Sequence, residues 1–390
     1  MKFADIQRLR DAGLISEEQR QSIVAHFGLK EEGGKLLAIL SMFGAVLIAA
    51  GLTLLIAAHW NEISRGVKIT CGLMLMLGAH GLGWWLREVH GKYRKSGEAL
   101  QLLGSCLFLA NIALLGQIYN IVSRPPNALL AWWLGIAALP WLLRSKAQHV
   151  LLLVAFGIWV GFEANASDSW LYVASERQLF IYAALGLVYL GFGWVLRGGS
   201  YAEFAAPAEA LGLMAFLLFN FPLTWKHFFA GSPPQNGEMA LPAGLGLGLI
   251  LAAAGARNLT TLNHQWRWTW FGALAGMSVL MMSVWFGAWT MVPSGARYWQ
   301  ESWSYAPAVL GYAVFCLLQI QVGIHERSSF LVNAGIIFIA LDIVAAYFDL
   351  FGSMTRTGLM FIIGGAFMIG FGIYLEKQRR ALMRRIRVAQ

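Results

Sequence analysis

The sequence predicts an all-α, polytopic helical membrane protein, and three observations carry that prediction. Apolar blocks of 16 to 24 residues recur about a dozen times between Leu36 and Leu375. Charged residues make up 13% of the 390-residue chain, against about 25% in a soluble domain. Lys and Arg sit in the short gaps between the blocks, mainly in every second gap. A block of this length matches the hydrocarbon thickness of a bilayer, and alternating basic gaps fix sidedness.

Taken in order, residues 1–35 form a cytoplasmic helical hairpin and linker. Ile6 and Leu9 give a first helix an apolar side, and Asp11-Ala12-Gly13 breaks it. Ser16 followed by Gln19 has the spacing of a capping box for a second helix. Thirty residues build little core alone, so this pair is expected to pack on the membrane domain, a second copy or a partner. Residues 36–375 form the transmembrane domain, and 376–390 a basic cytoplasmic tail. The first 35 residues are polar, so the first apolar block reads as an uncleaved span.

The spans are expected at 36–58, 66–86, 97–118, 127–143, 147–162, 178–196, 205–222, 240–256, 268–287, 305–324, 329–347 and 355–375. That makes twelve, or ten if one short pair does not cross. Segments 127–143 and 147–162, separated by Arg144-Ser-Lys146, are the short pair, read as a tight helical pair or re-entrant segments. With a cytoplasmic N-terminus, the cytoplasmic segments hold 22 Lys and Arg and the opposite side seven. This bias supports an even number of spans with both termini inside. Tryptophans 60, 84, 85, 141, 170, 194, 225, 268, 289 and 303 fall near span ends, as an interfacial belt requires. Small-residue spacing at Gly244/Gly248, Gly272/Gly276 and Gly364-Gly365/Gly370 favours close helix contacts.

The net charge of +9 follows the gaps rather than any soluble domain, so it points to the lipid bilayer as partner and excludes nucleic acid. Cys71, Cys106 and Cys316 lie inside apolar blocks without metal-ligand spacing. There is no phosphate loop, nucleophile elbow or HExxH, and Glu163, Asp168 and Glu176 read as a solvated external face. No cofactor and no metal are expected.

Polar residues inside spans are the functional candidates. Asp342 lies in Ile339-Ala-Leu-Asp-Ile-Val344, where its carboxyl must be neutral, hydrated or paired. Asn111, Gln117 and Asn120 lie along span 97–118, with Gln117 and Asn120 on one face. By topology all four fall in the outer half of the membrane, so they are expected to share one polar region open to the outside. His80 and Glu209 fall in the inner half, where a His–Glu pair would hold a proton. His149, Asn220, Gln319 and Asn333 lie nearer span ends, where water satisfies them.

Three stretches resemble a family of uncharacterised bacterial multi-pass membrane proteins, domain of unknown function 2157. They are Leu9-Arg-Asp-Ala-Gly-Leu-Ile-Ser-Glu-Glu-Gln19, then Phe108-Leu-Ala-Asn-Ile-Ala-Leu-Leu-Gly-Gln-Ile-Tyr-Asn120. The third runs from Asn333 through Tyr347-Phe-Asp-Leu to Glu376-Lys-Gln-Arg-Arg380. The resemblance covers most of the chain and implies a bacterial inner membrane. It transfers no catalytic residue. The family's second stretch often ends in histidine, where this chain has Asn120, so a proton-transfer or metal role there is not expected.

Two function classes follow. A transporter or permease of a small solute fits the span number, the outer polar residues and the glycine-rich helices. A non-enzymatic assembly, envelope-maintenance or signalling protein fits the N-terminal pair, the basic tail and the small-residue faces, with a homo-oligomer or membrane-protein partner. An enzyme on a lipid-linked substrate rests only on Arg124 and Arg297 in external loops.

Overall fold

The computed structural model describes residues 62–90, 94–173, 178–225, 239–286 and 306–351, with isolated positions near either end. The chain divides into two units, Met1–Cys71 and Gly72–Gln390. In the first unit the expected chain break is present: Gly13 has φ +71° and its N–H donates to Arg10 O at 2.8 Å. The capping box is present too. Ser16 N–H donates to Gln19 Oε1 at 2.9 Å, and Gln19 N–H donates to Ser16 Oγ at 3.2 Å. The rest of the expected helical pair lies outside the described residues.

Eleven α-helices follow among the described residues. They are α1 Arg65–Trp84, α2 Arg94–Tyr119, α3 Pro125–Ile136, α4 Leu139–Leu143, α5 Lys146–Asn165, α6 Gln178–Leu196, α7 Ala205–Asn220, α8 Ala240–Gly255, α9 His264–Trp285, α10 Ala306–His325 and α11 Ser329–Phe351. A π-turn over Trp85–Val89 extends α1, and 3-10 turns at Ala202–Phe204 and Phe221–Thr224 flank α7. With α3 and α4 forming one unit, ten helices among the described residues are long and apolar enough to cross a membrane. At 1.5 Å per residue, the 19-residue span Pro125–Leu143 reaches about 28 Å, close to the hydrocarbon thickness. These ten correspond to the middle ten of the twelve expected spans; 36–58 and 355–375 lie outside the described residues.

The short pair is a tight helical hairpin. Pro125 and Pro126 open α3, where a missing N–H costs nothing. The span bends at Ala137–Ala138 because Pro140 cannot donate to Ile136 O. Arg144 then takes a left-handed conformation, φ +45°, and Ser145 Oγ caps α5 by accepting from Gln148 N–H at 3.3 Å.

The most enclosed helix is α6, with 61% of its apolar window buried against 11% for α1. Its glycines explain the enclosure. A Cβ on Gly186 would lie 2.5 Å from Phe216 N and 2.7 Å from Gly212 O, and one on Gly212 would lie 2.4 Å from Leu190 N. Gly191, Gly248 and Gly255 let α8 approach the other side of α6 just as closely. Of the glycine pairs picked out in the sequence, Gly248 packs on Leu187, whereas Gly272 and Gly276 meet nothing within 4 Å among the described residues.

Tryptophan placement divides in two. Trp84, Trp85, Trp170, Trp225 and Trp268 are exposed at span ends, as a belt requires. Trp194 is not part of such a belt. It is buried beside Trp270, because Gly255 lets α8 close over it.

Helix ends assigned to one side of the membrane by the basic gaps do meet one another. Arg87 donates to Leu143 O at 2.5 Å, and Ser145 Oγ donates to Glu98 Oε1 at 2.5 Å. Asn258 Nδ2 donates to Trp194 O at 3.0 Å, and the Trp266 ring stacks on His325. At the other set of ends, Arg124 bonds to Glu163 and Asp168, and Gln178 bonds to Asn165.

Replacing Gly212 with Leu forces a side chain onto the backbone of α6, which has no flexible end to yield. The expected outcome is loss of most folded, detergent-extractable protein, measured by size-exclusion chromatography, while Gly276→Leu leaves the yield near that of the parent.

Candidate functional site

The expected polar residues resolve into three neighbourhoods. The first involves α1 and α2. Asn111 is buried, and its Nδ2 donates to Gly72 O at 3.1 Å and Leu107 O at 2.8 Å. A side chain on Gly72 would collide with Asn111 Oδ1, so the amide sits directly on the α1 backbone. Gln117 is exposed. Asn120 is exposed as well and ends α2, with φ +49° and an Ile121 N–H bond back to Gly116 O at 2.9 Å. Asn is among the few residues that adopt this conformation readily, so its local role is to stop the helix. His80 is half-buried with its ring against Gly104 of α2.

The second neighbourhood is built around Arg197, which follows α6 directly. Its Nε donates to Glu209 Oε1 at 2.5 Å and its Nη2 to Glu209 Oε2, a two-point carboxylate clamp. Its Nη1 donates to Glu326 Oε1 at 2.6 Å. Glu209 therefore pairs with Arg197, and neither a hydrogen bond nor an ion pair joins it to His80 among the described residues. The two face different neighbours: the His80 ring lies against Gly104 of α2, whereas Glu209 faces α6, since a Cβ on Gly193 would lie 2.5 Å from Glu209 Cγ. Burial disfavours the charged guanidinium of Arg197, but the bonds and charges of Glu209 and Glu326 outweigh it and hold the pKa above its ordinary value. Arg197 thus stays a cation held between two carboxyl groups.

This triad lines a cavity of about 270 Å³ bounded by Trp194, Leu213, Trp270 and Leu331. Arg197 is partly exposed, so the cavity mouth lies at the helix ends grouped by the basic gaps. Just beyond Leu331, Gln319 of α10 is fully buried and donates to Leu331 O at 2.9 Å.

The third neighbourhood surrounds Asp342, which is 1% exposed. It faces Thr224 in the turn after α7 and lies near Tyr312 and Cys316 of α10. Its Oδ1 has no hydrogen-bond partner among the described residues. No hydrogen bond or ion pair connects it with Asn111, Gln117 or Asn120 among those residues.

Sequence reasoning missed several contributors. Asn220, Gln319 and His149 were expected at watered span ends, yet all three are fully buried. Neighbouring elements cover those ends: the His149 ring stacks on Phe204 with centroids 4.8 Å apart, for example. Arg197 counted only among the basic gap residues and Glu326 was not picked out, because nothing in their spacing to Glu209 marks them as partners. Glu163 was placed in an external loop but is buried on α5, where Arg124 reaches it at 3.0 Å. The bond to Glu163 is the main reason that the Arg124 pKa lies above its ordinary value. Arg297 lies outside the described residues. No group of three or more His, Cys, Asp or Glu side chains able to hold a metal is found among the described residues.

Residues 7–149 match the model of a family described as "Predicted membrane protein (DUF2157)". Two of the three stretches that carry the resemblance fall inside this match, and the one from Asn333 onwards lies beyond it. No curated protein and no solved structure matches the chain.

The triad generates a prediction. Arg197→Met leaves two largely buried carboxylates facing each other, at an expected cost of about 1–3 kcal/mol. The detergent-solubilised variant should melt at a lower temperature, and adding Glu209→Gln should restore part of the loss.

Proposed function

We propose that the protein is a transporter of a small polar solute in a bacterial inner membrane, with both termini cytoplasmic. The carrying observation is Asp342, a carboxyl enclosed in a spanning helix with one oxygen unbonded among the described residues. A group that serves only to hold helices together has its hydrogen bonds made, since an unmade buried bond costs about 1–3 kcal/mol. An ionisable group left unsatisfied in the membrane is the mark of a solute or ion path.

Other features agree with this reading. The cavity beside Arg197, Glu209 and Glu326 gives access from the basic end, and Gln319 lies between it and the level of Asp342 on α10. Helix α7 closes in a 3-10 turn at Phe221–Thr224, which brings the end of that span beside Asp342. The excess of Lys and Arg in alternate gaps supports the sidedness. An assembly or signalling role leaves the open carboxyl unexplained.

The test is uptake in proteoliposomes over a panel of small amines, amino acids, sugars and carboxylates. At least one solute should accumulate, and Asp342→Asn at equal protein level should lower its rate tenfold or more. Failure of the parent to move any of them, or equal rates in the variant, counts against the proposal.

A further inference from the structure

Asp342 has Thr224 Oγ1 within hydrogen-bond reach, and its Oδ1 has no partner among the described residues. Asn220, the last residue of α7, is fully buried, and its Nδ2 donates to Phe216 O at 2.7 Å. Its Oδ1 has no partner among the described residues. Thr224, one turn further on, donates its hydroxyl hydrogen to Phe221 O at 2.8 Å. Tyr312 donates its own to Leu217 O at 2.9 Å. Each of these side chains bonds back to the end of α7 and keeps oxygen lone pairs for anything beside it.

The same region carries negative potential twice over. The C-terminal end of α7 contributes the partial negative charge of a helix end, and Asp342 contributes a carboxylate when ionised. The neighbouring groups Thr224, Tyr312 and Cys316 supply no cation. The basic residue nearest in sequence on these elements is Lys226, which lies outside the described residues.

We propose that Asp342, Asn220 and Thr224, with Tyr312 beside them, form a binding site for a sodium-sized monovalent cation at the C-terminal end of α7. One positive charge neutralises one carboxylate, whereas a divalent ion would leave an excess charge buried. Oxygen-only ligands suit a hard cation. Both orphaned acceptors, Asn220 Oδ1 and Asp342 Oδ1, gain a partner when the ion is bound. As the coupling ion of a transporter this site rests on the proposed function; as a binding site it rests on the two open buried acceptors, Asn220 Oδ1 and Asp342 Oδ1.

The experiment uses the full chain in lipid nanodiscs, with NaCl exchanged for choline chloride at constant ionic strength. The parent should melt roughly 2–5 °C higher at saturating Na⁺ and should retain about one ²²Na⁺ per chain. Asp342→Asn should abolish both effects. Thr224→Val and Asn220→Ala should each weaken Na⁺ affinity about tenfold or more, which keeps the test open if Asp342→Asn does not fold. Cys106→Ser, at an exposed position on α2, should respond as the parent does.

A parent indifferent to Na⁺, or an undiminished response in Asp342→Asn, overturns the site. So does a melting temperature that follows pH alone, because a proton on Asp342 would then take the ion's place. Na⁺ binding without uptake of any solute preserves the site and removes the transport reading. Solute uptake that ignores Na⁺, with no Na⁺ bound, does the reverse.

Discussion

Apolar side chains gain little by turning away from lipid tails, so helices in a bilayer associate through close packing and hydrogen bonds. In this protein the closest packing is the crossing of α6 with α7, where Gly186 and Gly212 each sit against the other helix's backbone. Gly248 and Gly255 bring α8 onto α6 as well. The positions of both charged sites follow from these crossings. The end of α6 delivers Arg197 beside Glu209, and the far end of α7 delivers Asn220 and Thr224 towards α10 and α11.

The two ends of α7 solve the problem of buried charge in opposite ways. At its start, Glu209 has both oxygens bonded to a guanidinium that also serves Glu326. That arrangement satisfies Glu209 beside a cavity. At its finish, Asn220 and Thr224 bond back to carbonyls of the helix end, and Asp342 and Asn220 each keep an open oxygen among the described residues. Buried polar networks are stable when every member is satisfied, and only the first of the two ends has its carboxylate oxygens fully bonded among the described residues.

Much of the fold was legible in the sequence because hydrophobicity and length act locally. The expected span 178–196 coincides with α6 at both ends, and the capping box at Ser16 and Gln19 appears with both of its hydrogen bonds. The site was only half legible. Depth can be read from position along a span, which is why Asp342 and Glu209 stood out. Which helices are neighbours cannot, so a His80–Glu209 pair stayed open beside a structural role for His80, whereas Glu209 faces Arg197. Asn120 looked like a polar lining residue, but its positive φ makes it a helix stop. Trp194 looked interfacial because it ends a span, yet a glycine on α8 lets that end be covered.

The sequence by itself determined the class of the molecule: the membrane-length helices, the alternation of their ends, and the few polar residues that each span had to accommodate. These follow from the cost of placing charge and unbonded backbone in hydrocarbon, which applies to each segment separately. Only the tertiary structure decided which of those polar residues meet. Contacts such as Arg197 with Glu326, 129 residues apart, depend on how helices rotate and how closely glycine lets them approach. Those are properties of pairs of helices, and no single segment encodes them.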